Sequence, residues 1–79
     1  ELESNVYSII GTKAIVKAPV SEFKGKVKVV NTGELWTAYT YEAYETIDID
    51  EQVIIKKIDG AKLVVIPKNA DIQKNGENT

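Results

Sequence analysis

Two alternating runs, 26–30 and 35–40, flank the short polar stretch Asn31-Thr32-Gly33, and no other feature constrains the chain as tightly. A polar turn whose glycine can take the left-handed conformation, set between period-two runs, specifies a β-hairpin. In the first run Lys26, Lys28 and Val30 alternate with Val27 and Val29. In the second, Trp36, Ala38 and Thr40 alternate with Leu35, Thr37, Tyr39 and Tyr41. Successive strand side chains point to opposite faces, so one face of this hairpin is apolar and the other meets water.

A second hairpin follows the same logic. Runs 52–58 and 61–67 are joined by Asp59-Gly60, one of the strongest short-range hairpin signals. Val53, Ile55, Leu63 and Val65 are the expected inward positions, with Ile58 returning inward after an irregularity at Lys56-Lys57. Val64 and Ile66 are then left as an outward apolar pair. Before the first hairpin, 6–18 is expected to be one long strand, bent at Gly11 and ended by Pro19, which cannot donate to a ladder. Between the hairpins lies the acidic stretch 42–51, with room for one helical turn at 42–45. In it Ile47 and Ile49 are expected to plug the barrel, and Asp50-Glu51 to turn the chain.

Five strands result from 79 residues, enough for one domain with one small core. Short antiparallel strands hide their edges most economically by closing. An all-β, five-stranded OB-fold barrel with little or no helix suits this order, with an SH3-like small barrel as the alternative. The expected division is 1–5 as a flexible linker remnant, 6–67 as the barrel, and 68–79 as a disordered polar tail with too few apolar residues to order itself.

Composition narrows the function classes. There is no cysteine or histidine, which removes thiol chemistry and leaves any transition metal to carboxylates, so neither metal nor cofactor is expected. The net charge is −2 and all ten basic residues are lysine, with no arginine for bidentate phosphate or guanine contacts. No apolar run approaches the length of a membrane span, and the acidic start Glu-Leu-Glu is unlike a signal peptide, so a soluble domain is expected. The missing initiator methionine fits an excised piece of a longer protein.

Four groups of residues invite a functional reading. Trp36 with the neighbouring aromatic residues resembles a stacking platform for single-stranded nucleic acid, but nearby Glu34, Glu42 and Glu45 repel phosphate and favour a packed tryptophan. Lys24, Lys26 and Lys28 form a row that reads first as a solvated strand face paired to glutamates and threonines, and second as a surface for anionic lipid headgroups or, in the nucleic-acid alternative, for phosphate alongside Trp36. Glu42, Glu45, Asp48, Asp50 and Glu51 lack the spacing of a calcium loop and read as a solvated acidic segment. Tyr39, Tyr41, Val64 and Ile66 are the candidate surface for a protein partner or a second copy. No histidine stands ready to activate a serine or threonine, and the domain reads as noncatalytic.

The order of motifs resembles the carboxy-terminal domain of the NfeD family over 11–67. The matching positions are Gly11, Ala14, Ala18-Pro19, Lys24-Gly25-Lys26-Val27 and Gly33-Glu34-Leu35-Trp36-Thr37-Ala38. They continue with Ile47, Val53-Ile54-Ile55, Ile58-Asp59-Gly60 and Leu63-Val64-Val65-Ile66-Pro67. Asp50 stands where the family usually has glycine, and aspartate tolerates the left-handed turn. The resemblance implies an OB-fold domain that follows transmembrane helices in a membrane protein. It also implies a link to stomatin or flotillin-type SPFH proteins, with roles in membrane protease regulation or membrane organisation. Long members carry a separate serine protease domain whose catalytic residues have no counterpart here. The expected partner is an SPFH protein or another copy rather than nucleic acid, with the membrane reached only through the parent chain, and the cytoplasmic side is the expected location.

Overall fold

The computed structural model describes residues 6–70. Five strands, β1 (Lys13–Ala18), β2 (Lys26–Val29), β3 (Leu35–Tyr39), β4 (Gln52–Asp59) and β5 (Lys62–Pro67), close into a barrel in the order β1-β2-β3-β5-β4. All neighbours are antiparallel except β3 and β5, which run parallel with Ala38 opposite Leu63. That single parallel pair arises because the chain crosses the barrel end between β3 and β4, and it gives the OB-fold arrangement rather than a meandering SH3-like one.

The alternation read from sequence becomes the inside of the barrel. Ala14, Val16, Val27, Val29, Ala38, Val53, Ile55, Leu63 and Val65 are all fully buried. Most are small or β-branched, which lets a narrow barrel fill without voids. Each larger one contributes about 1.5–3 kcal/mol relative to exposure. Ile9 closes one end of this core. Val20 and Ile47 close the other through two backbone hydrogen bonds of 3.0 and 2.8 Å.

Three expectations are corrected. Residues 6–12 do not extend β1: Val6–Ile9 is a 3-10 helix, and Gly11, at φ +89°, turns the chain so that its N–H meets Ile55 O at 2.7 Å. The irregularity in β1 lies instead at Lys17, between Val16 and Ala18, which brings Ala18 opposite Lys26. Ile49 does not plug the barrel; it is exposed, because Ile47 alone bridges to Val20 and the chain then turns at Asp50. The irregularity expected in β4 is present between Ile55 and Lys57, and Ile58 packs on the core beyond it. Residues 68–70 are helical, whereas 1–5 and 71–79, where the linker and most of the polar tail were expected, lie outside the described residues.

Strand directions give the barrel two distinct ends. The 3-10 helix, the β2–β3 turn and the β4–β5 turn share the amino-terminal end; the β1–β2 corner, the acidic β3–β4 link and residues 68–70 share the other.

Candidate functional site

Tyr39 alternates with inward Ala38 and therefore faces outward, as do Lys62 and Val64 on β5 and Lys57 and Asp59 on β4. Its phenol donates a 2.5 Å hydrogen bond to Asp59 Oδ2. Losing that proton beside a carboxylate is unfavourable, so the hydrogen bond to Asp59 chiefly, then burial and the charges of Asp59 and Tyr41, raise the Tyr39 pKa. Just past β3, Tyr41 is exposed and tilts against Tyr44, with ring centres 6.4 Å apart. The tyrosines thus form a polar and aromatic outer surface beside β5.

Val64 and Ile66 do not join it as an exposed pair: they are 0% and 4% accessible. β5 is hydrogen-bonded on both sides, so Val64 is flanked by Tyr39 and Lys57, and Ile66 has Ile54 opposite it. Short side chains on a strand lined by longer neighbours are covered by them. The sequence shows which face a residue takes, but not how deeply its neighbours shade it.

Lys26 and Lys28 are exposed on the outer face of β2, opposite Thr37 and Leu35, and Lys24 is exposed in the preceding turn. Trp36 has the opposite parity. It pairs with inward Val27, is half-buried against the core, and donates its Nε1–H to Glu34 Oε1 at 3.3 Å. The lysine row and the indole are therefore not brought together into a stacking platform. Ser21 accepts from the Phe23 and Lys24 amides at 3.1 and 3.2 Å, which makes it a turn former. Among the described residues, no cluster of three or more acidic side chains is placed to hold a metal ion.

Two features were missed by sequence reading. The sequence marks Asp59 only as a turn residue, yet it is the acceptor that fixes Tyr39. A shallow groove of about 430 Å³ runs beside the β1–β2 corner, lined by Ala18, Pro19, Lys24, Gly25, Lys26 and Thr37. Its only sequence signal is the Pro19 and Gly25 pair that shapes the corner.

The NfeD-like C-terminal, partner-binding domain profile matches residues 6–67. Among solved structures, the chain is similar to the C-terminal domain of stomatin operon partner protein 1510-C from Pyrococcus horikoshii. The two share 30% identity with a TM-score of 0.67, over 77% of this chain and 89% of that one. It is also similar to the soluble domain of a Corynebacterium glutamicum membrane protein implicated in regulation of membrane protease activity. Here identity is 24% and the TM-score 0.70, over 77% of this chain and 94% of that one. No protein of curated function matches the sequence. The chain belongs to the NfeD family, as a C-terminal, partner-binding domain.

Proposed function

We propose that this chain is the noncatalytic soluble domain of a membrane protein, and that it docks a stomatin-type SPFH protein, or a second copy, on the cytoplasmic side. Its work there is to help regulate a membrane protease or organise the membrane. The observation that carries this reading is the partner-binding family match across the whole barrel, joined to the 30% identity with a stomatin operon partner domain. The likeness in fold to the soluble domain of a membrane protein supports the attachment. We assign the docking surface to Tyr39 and Tyr41, which are rigid, amphipathic side chains suited to protein contacts. Tyr39 is held in place by Asp59, so little side-chain entropy remains to be lost on binding.

Nothing in the outer face favours nucleic acid. Trp36 pairs with inward Val27 and packs on the core, out of parity with Lys26 and Lys28, so no indole stacks among them. The test is a chemical-shift titration of the labelled chain with a soluble SPFH domain and, separately, with a short single-stranded oligonucleotide. Shifts with the protein, centred on Tyr39 and Tyr41, are expected; shifts with the oligonucleotide alone would overturn the reading.

A further inference from the structure

The two ends of the barrel differ in chemistry. Glu22, Glu42, Glu45, Asp48, Asp50 and Glu51 all lie at or near the end that carries the β1–β2 corner and the β3–β4 link. The amino-terminal end carries Lys13 where β1 begins, Lys28 near the end of β2, and Lys56, Lys57 and Lys62 beside the β4–β5 turn. Its two described acids are both tied to the barrel: Glu34 accepts from Trp36 Nε1 and Asp59 from the Tyr39 hydroxyl. Among the described residues the corner end, where Lys17, Lys24, Lys26 and Lys68 offset part of the acidic charge, is net acidic, and the amino-terminal end is net basic.

The same basic end exposes large apolar side chains. Tyr7 is 66% accessible, Ile10 40%, Val30 55% and Leu35 64%. The backbone places them together: the Val30 amide donates to Lys13 O at 3.1 Å, Leu35 lies opposite Lys28, and Lys28 lies opposite Ile15 of β1. Tyr7 and Ile10 sit in and after the 3-10 helix that leads into Lys13. Aromatic and aliphatic tips interleaved with lysine make the composition of a surface that seats at a lipid headgroup layer.

We infer that the amino-terminal end of the barrel, built from Tyr7, Ile10, Lys13, Lys28, Val30 and Leu35, is a seat for an anionic membrane surface. The inference rests on the reading of this chain as the soluble part of a membrane protein. In the proposed membrane protein a C-terminal domain is joined to the rest of the polypeptide at this end, which would set it nearer the bilayer than the other. Charge fits the same orientation. A six-residue strand spans roughly 20 Å, about two Debye lengths at moderate salt, so the acids at the far end scarcely feel the lipid. The seat would orient the barrel with its acidic end toward the solvent and leave Tyr39 and Tyr41 on the side wall for the partner.

The test uses the 79-residue chain with phosphatidylcholine vesicles, with and without phosphatidylglycerol, carrying a gadolinium-chelate lipid. Residue-resolved amide broadening detects even sparse contacts. Broadening is expected over 7–13 and 28–35 with anionic vesicles at low salt, and not at 42–48. The Lys13→Gln/Lys28→Gln double variant is expected to lower the vesicle partition about thirtyfold, a factor of about five for each lysine. Val30→Ser/Leu35→Ser, at exposed positions that leave the fold intact, removes the broadening that survives high salt. Absent broadening, broadening at the acidic end, or no response to either double variant would overturn the seat. A soluble SPFH domain titrated in parallel separates the two readings. If it shifts 7–13 and 28–35, that end is a protein dock and the lipid inference fails while partner binding stands. If vesicles broaden that end and the protein shifts nothing, partner binding fails and the seat stands.

Discussion

The Tyr39 hydroxyl on β3 and the Asp59 carboxylate on β4 are 2.5 Å apart although strand β5 lies between their strands. Tyr39 is level with Val64 and Asp59 with Lys62, so the phenol reaches diagonally over β5. The contact links the two strands flanking β5 and so braces the parallel pair, where only three residue pairs join β3 to β5. It also helps explain why Val64 is covered rather than offered to a partner.

Because the neutral phenol is the form that donates, folding raises the Tyr39 pKa above its ordinary 10.0. The stabilisation is fully present below the unfolded value and is lost as pH rises through the folded one. Spectrophotometric titration of the four tyrosines should show a late component that is absent in Tyr39→Phe and returns toward the ordinary value in Asp59→Asn. Urea midpoints of the parent should fall relative to Tyr39→Phe as pH rises above the ordinary tyrosine value of 10.0. A tyrosine titration unchanged by Asp59→Asn would rule out the contact in solution.

Gly25 is fixed by close approach. A β-carbon there would stand 2.6 Å from Val20 Cα and Cγ2 and 2.9 Å from Pro19 O, and its φ is +154°. Two of those three atoms are backbone and cannot swing away. Gly25→Ala is therefore expected to destabilise the barrel by about 2–4 kcal/mol, through overpacking and backbone strain. The single Trp36, half-buried against the core, can follow the urea transition. A loss below about 0.5 kcal/mol would mean the corner opens freely.

Asp50 is the one described residue other than glycine with positive φ, at +74°. It turns the chain from the Val20–Ile47 bridge into β4, and its N–H donates to Val16 O at 2.8 Å. Glycine adopts this conformation without a β-carbon clash. Asp50→Gly is expected to gain about 0.5–1 kcal/mol, raising the melting temperature of a domain this size by about 2–8 °C. Thermal unfolding followed by circular dichroism checks this, and a lower melting temperature would show that the aspartate is making a compensating contact.

How much was legible in the sequence depended on the range of the interaction. Local signals worked: Gly33, Gly60 and the alternation of Val27, Val29, Val53, Ile55, Leu63 and Val65 placed both hairpins and most of the core. Gly11 reads as a bend inside a strand because a glycine marks a left-handed residue without saying what precedes it. A 3-10 helix ending at Ile9 satisfies the same position. The site was less legible. Val64 and Ile66 were placed on the outward parity but are shaded by residues on other strands. Tyr39 owes its orientation to Asp59, twenty residues away in sequence. The basic and acidic ends emerge only once strand directions are known, since Lys13, Lys28 and Lys62 lie far apart along the chain.

Thr40 tests whether polarity at the end of β3 serves the fold. It is 1% accessible, and among the described residues its Oγ1 has no hydrogen-bond partner. Its backbone N–H is satisfied by Ser21 O at 2.9 Å, so a substitution of the side chain leaves that bond intact. A buried hydroxyl without a partner keeps its desolvation cost, whereas valine fills the same volume with a methyl group and retains β-branching. Thr40→Val is therefore expected to leave stability unchanged or raise it by up to about 1 kcal/mol. Thr40→Ser keeps the hydroxyl, deletes the methyl, and should lose about 1 kcal/mol by the cavity it leaves. Urea unfolding of both variants decides the matter. If Thr40→Val loses stability and Thr40→Ser does not, the hydroxyl is bonded in solution and the end of the barrel is held by a polar contact rather than by packing.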